Sequence, residues 1–70
     1  MADTLVCFNL GEKISEENYL TNRTNVPIPV IGSTVAFSDE KNRCFLVERV
    51  GYNYQIEGYS THVWVFLKES

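Results

Sequence analysis

The chain has 70 residues, 44% hydrophobic and 21% charged, with nine acidic against six basic residues and a net charge of −3. That composition is globular rather than disordered and suits one domain at most. It lacks the basic excess of a protein that holds nucleic acid mainly through phosphates.

The longest uncharged run, residues 24–38, is broken by two prolines and a glycine, so no membrane span is expected. Met1-Ala2-Asp3-Thr4 has no basic start of a secretory signal, and a cytoplasmic location is expected. A domain this small buries only about 60% of its unfolded surface. Domains of this size often rely on a disulfide, a metal or a partner chain. With two cysteines, one histidine and no ligand spacing, no metal or cofactor is expected, and self-association becomes the physically motivated option.

Thr4-Leu5-Val6-Cys7-Phe8-Asn9-Leu10 reads as a strand, with Val6, Phe8 and Leu10 on one face and Leu5, Cys7 and Asn9 on the other. Gly11-Glu12 supplies a turn. From Lys13 the chain either returns as a second hairpin arm, with Tyr19 and Leu20 inward, or makes one helical turn capped by Ser15. The hairpin is favoured, because eight residues without a wide apolar stripe make a poor helix. Thr21-Asn22-Arg23-Thr24-Asn25 reads as a polar loop. Val26-Pro27-Ile28-Pro29 must be extended yet cannot be a central strand, and its apolar side chains should plug one end of the core.

Gly32 permits a bend before Ser33-Thr34-Val35-Ala36-Phe37-Ser38, a strand with Val35 and Phe37 inward. Asp39-Glu40-Lys41-Asn42 is a charged loop short enough to join antiparallel neighbours. The next strand, from Arg43 to Tyr54, carries a parity conflict. Phe45 and Val47 alternate on one phase, and Val50, Tyr52 and Tyr54 on the other. An extra residue at Glu48-Arg49 reconciles them, so a β-bulge is predicted there, with Gly51 easing the bend. Thr61-His62-Val63-Trp64-Val65-Phe66-Leu67 closes a hairpin with it. Val63, Val65 and Leu67 form one apolar row. His62, Trp64 and Phe66 form a second, which a one-layer sheet would leave uncovered.

The expected fold is therefore all-β: a strongly bent antiparallel sheet or barrel of about five strands in one domain, SH3-like, with the helical turn near Ser15 left open. Pro29-Val30-Ile31-Gly32-Ser33-Thr34-Val35, Phe45-Leu46-Val47-Glu48-Arg49-Val50 and Val63-Trp64-Val65-Phe66-Leu67 together resemble small uncharacterised bacterial proteins of SH3-like shape. These carry Pro…Gly-x-x-Val, aromatic-x-Val-x-x-Val and a closing Val-x-Val-x-Leu. The resemblance covers roughly the C-terminal two-thirds and brings no activity or functional residue with it. One SH3-like family of this size, the plasmid-borne trimethoprim-resistant dihydrofolate reductases, builds an enzyme by tetramerising around a pore. Its Val-Gln-Ile-Tyr motif is absent here, and that activity is not assigned.

Three functions follow as expectations. The first is a non-enzymatic protein-binding module, a homodimer or higher oligomer, associating through an aromatic face with Trp64, Phe66, His62, Tyr52, Tyr54 and Arg49 as binding residues. The second, disfavoured by charge, is a barrel that stacks single-stranded nucleic acid on its tyrosines and Trp64. The third is a small enzyme with a site between subunits. His62 with Cys7 or Cys44 could be drawn as a thiol-nucleophile set, but no local signature supports it and no catalytic residue is assigned. Two buried thiols acting as small hydrophobes are the simpler reading of the cysteines.

Overall fold

The computed structural model describes residues 3–38, 43–56 and 60–69. They form five strands and no helix: β1 (Thr4–Leu10), β2 (Tyr19–Thr24), β3 (Thr34–Ala36), β4 (Cys44–Tyr54) and β5 (Thr61–Glu69). The strands make one strongly curled sheet in the order β2-β1-β5-β4-β3, a half-barrel. Three neighbouring pairs are antiparallel, whereas β1 and β5 run parallel from Thr4↔Thr61 to Leu10↔Leu67. The sheet is thus mixed rather than antiparallel throughout. β1–β2 and β4–β5 are antiparallel pairs of strands consecutive in the chain, and two such pairs laid side by side can meet in either sense.

The core lies on the inner face. Val6 and Phe8 of β1, Phe45 and Val47 of β4, and Val63, Val65 and Leu67 of β5 are buried there. The alternation expected for β1 and β5 is the one observed. The bulge falls where the parity conflict placed it: Val47 pairs with Leu67 and Arg49 with Phe66, so Glu48 is the extra residue. Gly51 keeps an ordinary negative-side backbone, so it eases no strain. A Cβ there would stand 3.6 Å from the Phe66 ring, an ordinary van der Waals contact, so the space does not demand glycine either.

The connection from β2 to β3 carries the chain from one sheet edge to the other. Val26 and Ile28 pack half-buried against the core on the way, as the two prolines predicted. Three described residues stand at positive φ: Gly11 at 82° after β1, Asn25 at 55° after β2 and Gly32 at 92° before β3. Val35 and Phe37 reach the core from β3 and its end, and the Phe37 ring meets Phe8 and Phe45 edge-on at 5.4 and 5.7 Å.

Each of the two sequence readings of the segment after Gly11 holds in part. The Ser15 carbonyl accepts the N–H groups of Asn18 and Tyr19, and its hydroxyl accepts the Asn18 N–H as well. The result is a single hydrogen-bonded turn, after which the returning arm begins at Tyr19 rather than Lys13. Thr21 to Thr24, expected to be loop, form the outer half of that arm. They pair with β1 from Leu5↔Thr24 to Phe8↔Thr21, and an edge strand with one side in water needs no apolar alternation. The expected charged loop at residues 39–42 and the tip of the last hairpin lie outside the described residues.

Candidate functional site

Residues opposite one another across a ladder share a face of the sheet, so register assigns each candidate. Arg49 pairs with Phe66, Asn53 with His62 and Gly51 with Trp64, and this row opposes the core. Tyr52 pairs with Val63 and Tyr54 with Thr61, on the core side. The six candidates therefore divide. Arg49, His62, Trp64 and Phe66 lie on the outer face, and Tyr52 and Tyr54 on the inner one.

The outer row is largely covered by its own chain. Phe66 is 3% exposed, and the Arg49 guanidinium lies over its ring at 4.8 Å. Trp64 is half-buried, with the Tyr19 ring edge-on at 6.1 Å. Beside them in β1, Cys7 and Asn9 are buried as well, opposite Trp64 and Phe66 in the parallel register. The expectation that a single-layer sheet leaves this row bare is corrected for Phe66. The Arg49 side chain folds from β4 over the Phe66 ring, a covering by an apolar stem under a charged head, while Tyr19 of β2 meets Trp64 instead.

The inner face beyond the core is different. Tyr52 and Tyr54 are 53% and 71% exposed, their rings stacked at 6.2 Å and 9°. Val30 and Ile31, 69% and 64% exposed, approach from the Pro-containing connection. Ile28, Pro29, Val30, Ile31, Val50 and Tyr52 line a shallow cleft of about 270 Å³. The main chain beside it is also bare. β3 pairs only with Cys44–Leu46, and one further link joins Val47 to the Gly32–Ser33 turn. Among the described residues, nothing pairs with the outer edge of β4 from Glu48 to Tyr54.

Chemistry by a thiol finds little support in this arrangement. Burial raises the Cys7 pKa above its usual value, against a smaller lowering by the hydrogen bond with Tyr19, so the thiol stays protonated. Cys44 is exposed on the opposite strand end, and neither cysteine is in a disulfide. A chromogenic thiol reagent should therefore titrate one cysteine per folded chain and two after unfolding. Two fast-reacting thiols in the native protein would contradict the burial of Cys7. Among the described residues no three His, Cys, Asp or Glu side chains stand close enough to hold a metal, and no helix is long and apolar enough to cross a membrane.

Sequence reasoning missed the division between the faces, although the bulge it predicted implies it. Once Glu48 is skipped, Tyr52 and Tyr54 must join Val63 rather than Trp64. It also passed over Asn9, which is wholly buried and pins the turn after β1. In comparisons with known proteins, no family model, curated protein or solved structure matches the chain.

Proposed function

We propose that this chain is a cytosolic, non-enzymatic binding module that pairs with a second copy of itself along the bare edge of β4. The observation that carries the reading is the coincidence of unpaired main chain from Glu48 to Tyr54 with the stacked, exposed Tyr52 and Tyr54. An edge of this length is a template for another strand unless something blocks it. Here no proline interrupts it, and its inward side chains are apolar or aromatic.

A two-fold antiparallel pairing centred on Gly51 sets Val50 opposite the partner's Tyr52, Arg49 opposite the partner's Asn53 and Glu48 opposite the partner's Tyr54. Aromatic and β-branched residues then meet across the strands, and no like charges face each other. The exposed parts of Val30, Ile31, Tyr52, Tyr54 and Ile56 amount to roughly 600 Å² per chain, or about 1,200 Å² across the pair, the lower bound of a specific interface. The association also suits a small domain with neither cysteine in a disulfide. The resemblance to small bacterial SH3-like proteins belongs to the same proposal. Its last two motifs lie on β4 and β5, the hairpin that carries the edge.

Sedimentation equilibrium at high micromolar concentration should give twice the 8.0 kDa chain mass. Replacing both Tyr52→Lys and Tyr54→Lys should return the monomer, with the circular dichroism spectrum unchanged. Trp64→Ala should leave the dimer intact. A monomeric parent protein, or a dimer lost with Trp64 and kept without the tyrosines, overturns the reading. The nucleic-acid alternative gains no support from the geometry, since Arg49 lies over Phe66 on the face away from the tyrosine pair.

A further inference from the structure

The half-barrel has a second opening, between its two terminal strands. No Cα of β2 comes within 8 Å of a Cα of β3. Adjacent strands stand about 4.8 Å apart, so a gap wider than 8 Å exceeds one spacing and leaves β2 and β3 unpaired with each other across the opening. A groove of about 570 Å³ fills that gap, a volume within the usual range of binding sites. Phe8, Leu20, Val35 and Phe37 supply its apolar walls, and Arg23 and Arg43 its charge. Among the described lining residues there is no acidic side chain, although the whole chain carries −3.

We infer that this groove accepts an extended peptide of a partner protein, which lies against β2 as a sixth strand and closes the barrel. Two features select a peptide over a small amphipathic acid. The groove is bordered by the outer edges of β2 and β3, whose main-chain groups only another main chain can satisfy in series. β2 offers six residues, about 20 Å at ~3.4 Å each, which sets the length of the segment. The apolar walls ask for an apolar residue at every second position, since alternate side chains of a strand share a face.

Arg23 sets the charge. It pairs with Val6 in the register and so stands on the inner side, in the groove wall. Its Nη1 donates to the Thr21 hydroxyl at 2.8 Å and to the Asn22 carbonyl at 2.6 Å. Nε and Nη2 have no protein acceptor among the described residues, and a carboxylate is the acceptor that a guanidinium fork fits best. The same side chain covers one carbonyl of the β2 edge, protecting it from unselected strands until an acidic segment draws the arginine away. The partner is therefore an extended, proline-free segment with alternating apolar residues and a carboxylate at the level of Arg23.

A display library of random hexapeptides tests this, using the Tyr52→Lys, Tyr54→Lys chain so that the edge of β4 plays no part. Selection should enrich alternating apolar residues with one Asp or Glu and exclude proline. Binding should shift the amide resonances of residues 19–24 and 34–37. Arg23→Glu should weaken a selected peptide by roughly tenfold and turn renewed selection towards Lys or Arg. Selection that yields no binder, or binders that shift only the β4 amides, overturns the inference. So does binding of decanoate to the groove in preference to every selected peptide, which would make the site one for a small amphipathic acid. None of these outcomes bears on the dimer, whose test reads a different edge.

Discussion

Replacing Phe45→Ala should destabilise the fold by about 3–5 kcal/mol, while Leu46→Ala, one residue along, should change stability by about 0.5 kcal/mol or less. Phe45 is fully buried at the centre of the inner face, with the Phe37 ring at 5.7 Å and the Arg43 guanidinium over it at 5.4 Å. It pairs with Val35 on one side and Glu69 on the other, so it also anchors the three-residue β3. Truncation of a buried phenylalanine costs about 3–5 kcal/mol. A chain of this length has on the order of 4–10 kcal/mol to lose, so the loss runs from about a third of its stability to all of it. Leu46 points to the outer face and is already exposed. Thermal melts followed by circular dichroism separate the two. The Phe45 variant should lose its transition or melt ~15–30 °C lower, and the Leu46 variant should melt close to the parent. Equal effects would mean that β4 is slipped by one residue, which exchanges its faces.

That pair of neighbours also marks what was legible in the sequence. Parity along one strand is a local property, and it located the core rows of β1, β4 and β5. The conflict between Phe45-Val47 and Val50-Tyr52-Tyr54 was enough to place the bulge at Glu48. The prolines at 27 and 29 likewise excluded a central strand, leaving a crossing segment or a sheet edge, and the chain crosses there. What failed was non-local. The outer part of β2 carries a loop signature, because Thr21, Asn22, Arg23 and Thr24 are polar, yet an edge strand takes its order from β1 rather than from its own composition. The parallel contact of β1 with β5 joins the two ends of the chain, and no local signal selects that neighbour. The outer row was judged strand by strand, so the reach of Arg49 across to Phe66 and of Tyr19 to Trp64 went unseen. The surface proposed for a second copy therefore rests on the exposed tyrosine pair, because the Phe66 ring of the indole row is covered by its own chain.

Asn9→Ala should cost about 2 kcal/mol and lower the melting temperature by ~8–16 °C, although the residue stands on the outer face with the core behind it. Asn9 is fully buried, and its Nδ2 donates to the carbonyls of Gly11 at 2.9 Å and Lys13 at 3.0 Å. Those bonds bend the chain back after Gly11, itself held at positive φ, so that the Leu10 N–H meets the Asn18 carbonyl and β2 can start at Tyr19. Removing the amide leaves the Gly11 carbonyl without its donor and the Lys13 carbonyl with the Asn18 Nδ2 alone, and it empties space beside Phe66, its partner in the parallel ladder. Asn9→Asp discriminates between packing and hydrogen bonding, because the side chains have nearly the same shape. An ionised carboxylate facing two carbonyl oxygens can only accept, so at pH 7 this variant should be less stable than Asn9→Ala. Its folded-state pKa would be raised above the unfolded value of about 3.9. The folded form then holds the proton to higher pH than the unfolded one, and stability falls as pH rises through that interval. The gap between Asn9→Asp and the parent should accordingly narrow as pH is lowered towards ~4, where the protonated acid can donate one bond. A gap that stays constant between those pH values would show that the pin is a matter of volume, and that the turn forms without the two amide bonds.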